Sequence, residues 1–179
     1  MKMKYLLCAS LLFFLLDCAV PASAERMTVT DFQVNKPVGE RIFVVESTGG
    51  SMTLPFWISN IPNDNFTDAV RTSLVQSKSF QKISDSMENG WILKIEIIDL
   101  DRPWFGTDFK HKLTARYTLT KNGKIIFNEP VTAEGTATMG DALIGVYRAK
   151  KANEFAARNS IKAFLNALND LNAGIQLQQ

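Results

Sequence analysis

The stretch Lys112–Thr120 constrains the fold most. Leu113, Ala115, Tyr117 and Leu119 alternate without a fault with Lys112, Thr114, Arg116, Thr118 and Thr120. A period of two with one apolar and one wet face specifies a strand in a sheet covered on one side only. Lys121-Asn122-Gly123 follows and closes a hairpin. A two-residue Asn-Gly loop opposes Leu119 to Ile126 and mixes the faces. A three-residue loop with Gly123 in the left-handed position opposes Leu119 to Ile125 and Tyr117 to Phe127, which keeps the apolar faces together. Because a one-residue slip inverts every side chain, the three-residue loop is expected. The return strand then spans about Lys124–Thr136, with an interruption at Pro130.

The same logic places the other elements. Trp91, Leu93, Ile95 and Ile97 form one face of a strand after the Asn89-Gly90 break. Met27–Val34 and Arg41–Glu46 are β-branched or apolar enough to be strands, with the turn cluster Lys36–Gly39 between them. Met52–Ile58 is extended with one apolar face, and Pro55 confines it to an edge or outside the sheet. A first helix is expected from near Asn65 to about Ser79, with Phe66, Ala69, Val70 and Leu74 on one side; Phe80 and Ile83 then return to the core. A long second helix begins between Ala142 and Val146 and runs to Asn172. Its seam is Ala157, Ile161, Phe164, Leu168 and Leu171. Residues 173–179 form a frayed tail. The expected fold is α+β: an antiparallel sheet of about five strands with two helices packed on one face.

The first 24 residues have the pattern of a leader. Lys2 and Lys4 precede an apolar run through Leu16, and Ala22-Ser23-Ala24 supplies small residues for cleavage, so 1–24 reads as a secretory signal peptide. The domain is then residues 25–179, with one core and no second unit. Localisation is periplasmic. The rival reading cleaves before Cys18 and lipidates it, which gives a membrane-tethered protein; Asp17 before the cysteine fits that pattern poorly.

Both cysteines, Cys8 and Cys18, belong to this leader, which excludes a disulfide scaffold, a thiol enzyme and a cysteine-held metal in the exported part. The whole chain has 20 basic and 18 acidic residues. Losing Lys2, Lys4 and Asp17 leaves a net charge of +1, too little for a nucleic-acid binder. Arg148, Lys150 and Lys151 form a local basic patch, bracketed by Asp141 and Glu154, and read as a solvated helix face.

Catalytic patterns are sparse. His111, the single histidine, lies between two lysines at a strand start and reads as an exposed strand-end residue whose neighbours lower its pKa. Asp99 and Asp101, with Asp108, could form an acidic cluster for a cation or for glycan hydrolysis or transfer, and a solvated strand end accounts for them better. No phosphate loop or nucleophile elbow is present, and no cofactor or metal is expected. The aromatic segments carry more weight. Trp104 and Phe105 occupy the tip of a loop, and Phe56 and Trp57 lie on the proline-broken segment; both pairs are candidate partner-binding residues.

The order of elements over Phe66–Leu171 resembles a known family. The run Trp91–Leu100, an aromatic-glycine loop, the strand Leu113–Leu119 with its hairpin, and a final helix carrying Tyr147, Arg148, Ala152, Glu154 and Asn159–Ile161 resemble the auxiliary lipoproteins of ABC-type transporters in Gram-negative envelopes. That resemblance implies a non-enzymatic protein that binds an envelope partner, such as a transporter subunit, at a membrane. It supplies no functional residue to carry over. The remaining alternative to an envelope glycan enzyme is a small module holding lipid or glycan between helix and sheet.

Overall fold

A computed structural model describes residues 20–51, 59–87, 90–103 and 106–176. The described residues form five strands: β1 Gly39–Val44, β2 Phe80–Ile83, β3 Trp91–Asp101, β4 Phe109–Lys121 and β5 Lys124–Ala137. The helices are α1 Ala24–Met27, α2 Asn63–Gln76 and α3 Gly145–Gln176. The sheet order is β2-β1-β3-β4-β5.

The sheet is mixed, which corrects the antiparallel expectation. β3, β4 and β5 form an antiparallel meander, but β1 pairs in parallel with both β2 and β3. The cause is the connection. α2 carries the chain from the end of β1 back to its starting level before β2 begins, so β2 must run the same way as β1. The number of strands is as expected, but the membership differs. Met27–Val34 is not a strand: its start closes the single turn of α1, and Val29 donates its N–H to Ser73 Oγ of α2 at 2.9 Å. The helix side chain takes the place of a ladder partner. β2 is the segment that returns after α2.

The hairpin also departs from expectation. Lys121 faces Lys124 across a two-residue loop, with Asn122 and Gly123 both at positive φ, 49° and 79°. Such a turn matches the twist of the strands. The face conflict is resolved further on, by an irregularity beside Leu119/Thr120 that opposes Leu119 to Phe127. β5 is uninterrupted at Pro130, because β5 is an edge strand with an unpaired side.

The core lies between one face of the sheet and the helices. Leu93, Ile95, Leu113, Tyr117 and Leu119 meet Ile161, Phe164, Leu165 and Leu168 of α3 there, with Phe66, Val70 and Leu74 of α2 beside them. Lys94 and Glu96 hold the opposite, wet face. Tyr117 and Phe164 stack at 4.4 Å with planes 8° apart, and Tyr117 Oη bonds Ser160 Oγ at 3.0 Å. Burial among apolar groups raises the Tyr117 pKa far above its usual value, so the phenol stays protonated.

Residues 20–24 are packed into this fold. Ala22 is fully buried and donates its N–H to Asn60 O at 3.0 Å, while Asn65 Nδ2 donates to Ala22 O at 2.8 Å. Ser23 donates both its N–H and its Oγ–H to Glu154 Oε1, each at 3.0 Å. Glu154 is buried on α3.

Candidate functional site

The sheet opens at the end where β3 stops and β4 starts, and a cavity of about 470 Å³ lies there, roofed by the first turns of α3. Leu100, Arg102, Phe109 and His111 line it from the sheet. Gly145, Val146 and Ala149 line it from α3, with Ser59 and Pro103 at its sides.

The position of His111 follows from strand parity. It is in phase with Leu113, Ala115, Tyr117 and Leu119, so it points to the core face, and it is only 1% exposed. The expectation of an exposed strand-end histidine is therefore overturned. Its Nδ1 lies 2.7 Å from Asn153 Oδ1, and Asn153 Nδ2 donates to Ser59 O at 2.8 Å. The amide is thus fixed with its oxygen toward the ring, so Nδ1 carries the proton. Nε2 is left as an acceptor with no bond among the described residues.

Desolvation lowers the His111 pKa, and the Arg102 charge adds to it against the opposing pull of Asn153 and Asp101. The sign for stability follows. The unfolded chain binds a proton near pH 6.5 and the folded chain does not. Stability is complete above that pH and falls as the pH drops below it. The melting temperature should therefore decline from about pH 6.5 downward, and the decline should be shallower in His111→Gln, read by calorimetry across that window. Asp31, Glu134 and Asp141 have lowered pKa values, so their losses begin only in the lower carboxylate range and leave the window clear.

Arg102 was not a sequence candidate. It projects from the end of β3 and donates Nη1 to Ser59 O at 3.0 Å and to Asn60 Oδ1. Burial lowers its pKa from the usual guanidinium value, with the Asp99 carboxylate opposing, and it stays cationic. Arg148 also departs from the solvated-face reading. It is 9% exposed, sits 5.6 Å over the Phe109 ring and donates Nη1 to the carbonyls of Ala142 and Leu143. It thereby ties down the loop before α3. Lys150 pairs instead with Glu154 at 3.7 Å, and Lys151 bonds Asp141 O.

Asp99 and Asp101 lie at the cavity, but Asp108 is not part of its lining. On β3 the two aspartates oppose Thr114 and Lys112, and both are exposed. Among the described residues no three His, Cys, Asp or Glu side chains gather as a metal site would require.

The partner-binding candidates Phe56, Trp57, Trp104 and Phe105, and the candidate lipidation site Cys18, lie outside the described residues. Their anchor points lie within them and converge. Phe56–Trp57 leads into Ser59, and the Trp104–Phe105 loop leaves from Arg102-Pro103. Arg102 bonds Ser59 O. Ser59 Oγ in turn donates to Val20 O at 2.9 Å, and Val20 is two residues beyond Cys18. Exposed apolar residues continue the same end: Leu143 at 82%, Ile144 at 44% and Tyr147 at 40% exposure flank the α3 start.

No protein-family model matches the sequence, and no curated protein does. Solved structures do resemble the fold. A Xanthomonas campestris protein of the DUF330 family superposes with a TM-score of 0.61 at 9% identity, over 84% of this chain and 97% of that one. A hypothetical protein of Chlamydia trachomatis gives 0.51 at 9% identity, over 75% and 99%. Rare lipoprotein B of Shewanella oneidensis gives 0.47 at 12% identity, over 78% and 100%. The chain thus has an α+β fold that it shares with the Xanthomonas campestris and Chlamydia trachomatis proteins. No helix among the described residues is long and apolar enough to cross a membrane.

Proposed function

We propose that the chain is an exported, non-enzymatic accessory protein of the bacterial envelope. It binds a partner protein, such as a transporter subunit, during transport or assembly of envelope components. The observation that carries this reading is the convergence on Ser59. Val20, two residues beyond Cys18, Ser59, two residues beyond Trp57, and Arg102, two residues before Trp104, are joined in one hydrogen-bonded knot. An anchor at Cys18 would then hold the aromatic segments and the exposed Leu143–Tyr147 stretch at the membrane-proximal end. In this reading cleavage precedes Cys18, because cleavage after Ala24 removes Ala22 and Ser23 from their buried partners.

Crosslinking in intact cells followed by a denaturing purification tests the partner. The double variant Trp104→Ser with Phe105→Ser should lower recovery of a discrete envelope protein at least tenfold at an unchanged melting temperature. A wild-type chain that reproducibly brings nothing overturns the reading. A double variant that unfolds places the loop in the core and refutes its docking role.

A further inference from the structure

The connection from β5 to α3 carries an apolar patch that the fold leaves open. Met139, Leu143, Ile144 and Tyr147 are 50%, 82%, 44% and 40% exposed, and all four lie within nine residues. The other exposed large apolar side chains among the described residues, Val75, Met87, Ile98 and Ile125, belong to four different segments. Scattered exposed residues of this kind are ordinary, whereas a cluster marks a contact surface. The segment is also held rigid from below. Buried Arg148 donates Nη1 to the carbonyls of Ala142 and Leu143, and Lys151 Nζ donates to Asp141 O. Thr138 O accepts from the N–H groups of Asp141 and Ala142, and Ile144 O from those of Tyr147 and Arg148. The Asp141 carboxylate accepts from Thr138 N and Oγ at 2.8 and 3.0 Å.

These bonds decide what covers the patch. A protein partner makes about one hydrogen bond per 100–200 Å² and needs free polar groups to make it with. Here the carbonyls of residues 141–144 are all spent inward. A carbonyl satisfied within the protein is the condition for entering a phase where water cannot solvate it. The chain start points to the same occupant. Val20 accepts from Ser59 Oγ, and Ser59 lines the cavity that Gly145 and Val146 also line, so Val20 and the patch share one end of the domain. The apolar run through Leu16 lies upstream of Val20, and Cys18 is two residues away, a reach of at most about 7 Å. We propose that segment 139–147 is a membrane contact in its own right, with Leu143 and Ile144 entering the interfacial layer of a lipid bilayer and Met139 and Tyr147 flanking them. Asp141, two residues before Leu143, keeps the insertion shallow. Arg148, Lys150 and Lys151 against Asp141 and Glu154 leave one positive charge, so the attraction is chiefly apolar. The contact deepens the envelope role proposed above, on which it rests, but it needs neither the partner protein nor lipidation of Cys18.

The chain from residue 19 onward contains every described element and no cysteine, so it tests the segment without an anchor. The probes are vesicles of phosphatidylcholine alone and of equal parts phosphatidylcholine and phosphatidylglycerol. Sedimentation with excess vesicles should carry the chain down in both cases, and the anionic lipid should raise the partition coefficient by no more than about fivefold. Leu143→Ser with Ile144→Ser should lower it about tenfold or more, at an unchanged melting temperature because both side chains are exposed. A polarity-sensitive dye on Leu143→Cys should shift to the blue with either vesicle and be quenched by lipid brominated in the upper acyl chain. The same dye on Lys94→Cys, on the wet face of the sheet, should not respond. Absence of partitioning, partitioning that the double serine variant retains, or a requirement for phosphatidylglycerol overturns the proposal. A Leu143 dye that ignores vesicles while a crosslinker at Leu143 captures a protein in cells overturns it too, and gives the patch to that protein. Failure with vesicles leaves capture through Trp104 and Phe105 untouched, and failed capture leaves the vesicle result standing, so the two readings fail separately.

Discussion

A chain that starts at Glu25 should melt about 6–12 °C below one that starts at Ala19. The shorter chain loses the Ala22 contacts with Asn60 and Asn65, the Val20 bond from Ser59 and both Ser23 bonds to Glu154. These five tertiary hydrogen bonds at their usual net worth, discounted for partial exposure, amount to about 3 kcal/mol, and the bonds from Met27 and Thr28 to Ser23 O and Ala24 O that close α1 are lost with them. For a domain of this size each kcal/mol shifts the melting point by about 2–4 °C. Glu154 aggravates the loss. Its carboxylate sits in a buried position with Lys150 at 3.7 Å as its remaining charged contact, and it would have to be rehydrated where Ser23 now covers it. Differential scanning calorimetry of the two chains reads the difference directly. Equal melting points would show that residues 20–24 add nothing and would restore cleavage after Ala24 as the simpler route. The intact mass of the exported protein supplies an independent check, since a lipidated Cys18 adds a diacylglyceryl group and Cys18→Ser should release the protein from the membrane fraction.

The segment Ala22–Ala24 admits two readings. Ala22-Ser23-Ala24 has the pattern of a cleavage site, but small residues are also what a close approach between α1, α2 and α3 requires. Pattern alone does not separate the two uses. Other elements were legible because one force dominates them. Leu93, Ile95 and Ile97 of β3 and the whole alternation of β4 are buried as read, with Trp91 half-buried, and so are Ala157, Ile161, Phe164 and Leu168 on the α3 seam. A continuous face gains most from burial, so its period survives any tertiary detail. Met27–Val34 failed because its backbone partner is a side chain of α2, 44 residues away in sequence. The parallel pairing of β1 and β2 was readable in principle, since the helix between them dictates it. It was missed because β2 is only four residues long and has no alternation to recognise.

His111 is the instructive miss. Its flanking lysines suggested solvent, but the parity of the strand points the other way. Residues 111, 113, 115, 117 and 119 share one face, and all five are buried. Following the alternation one step further back would have placed the imidazole inside. The rest of the site was beyond a linear reading. Ser59, Arg102, His111, Ala149 and Asn153 come from four separate stretches of chain, and only the crossing of α3 over the sheet end brings them together.

The crossing has a tight point, and a single methyl group there should have a large effect. At Gly135 of β5, an added Cβ would lie 2.1 Å from the backbone N of Ala156 and 2.4 Å from the backbone O of Ala152. Both atoms belong to the α3 main chain, so no side chain can rotate away to make room. Close by, Asn159 Nδ2 donates to Glu134 O at 2.8 Å, which holds the helix down on the strand. Gly135→Ala must therefore lift α3, and the lift is shared by Ile161 and Phe164, the latter stacked on Tyr117. Overpacking of a close-packed contact costs about 1–3 kcal/mol when neighbours can adjust. Here they cannot, so a loss of about 3 kcal/mol or more is expected for alanine, and Gly135→Val should not yield a folded domain. Gly140→Ala provides the control. Its added Cβ meets only Thr138 Oγ1, at an ordinary 3.5 Å, and the substitution should leave stability within about 0.5 kcal/mol. Urea denaturation of the three variants measures the series. If Gly135→Ala is as stable as Gly140→Ala, α3 does not rest on β5 at this distance. The roof of the cavity would then be looser than the contacts of Ala149 and Val146 require.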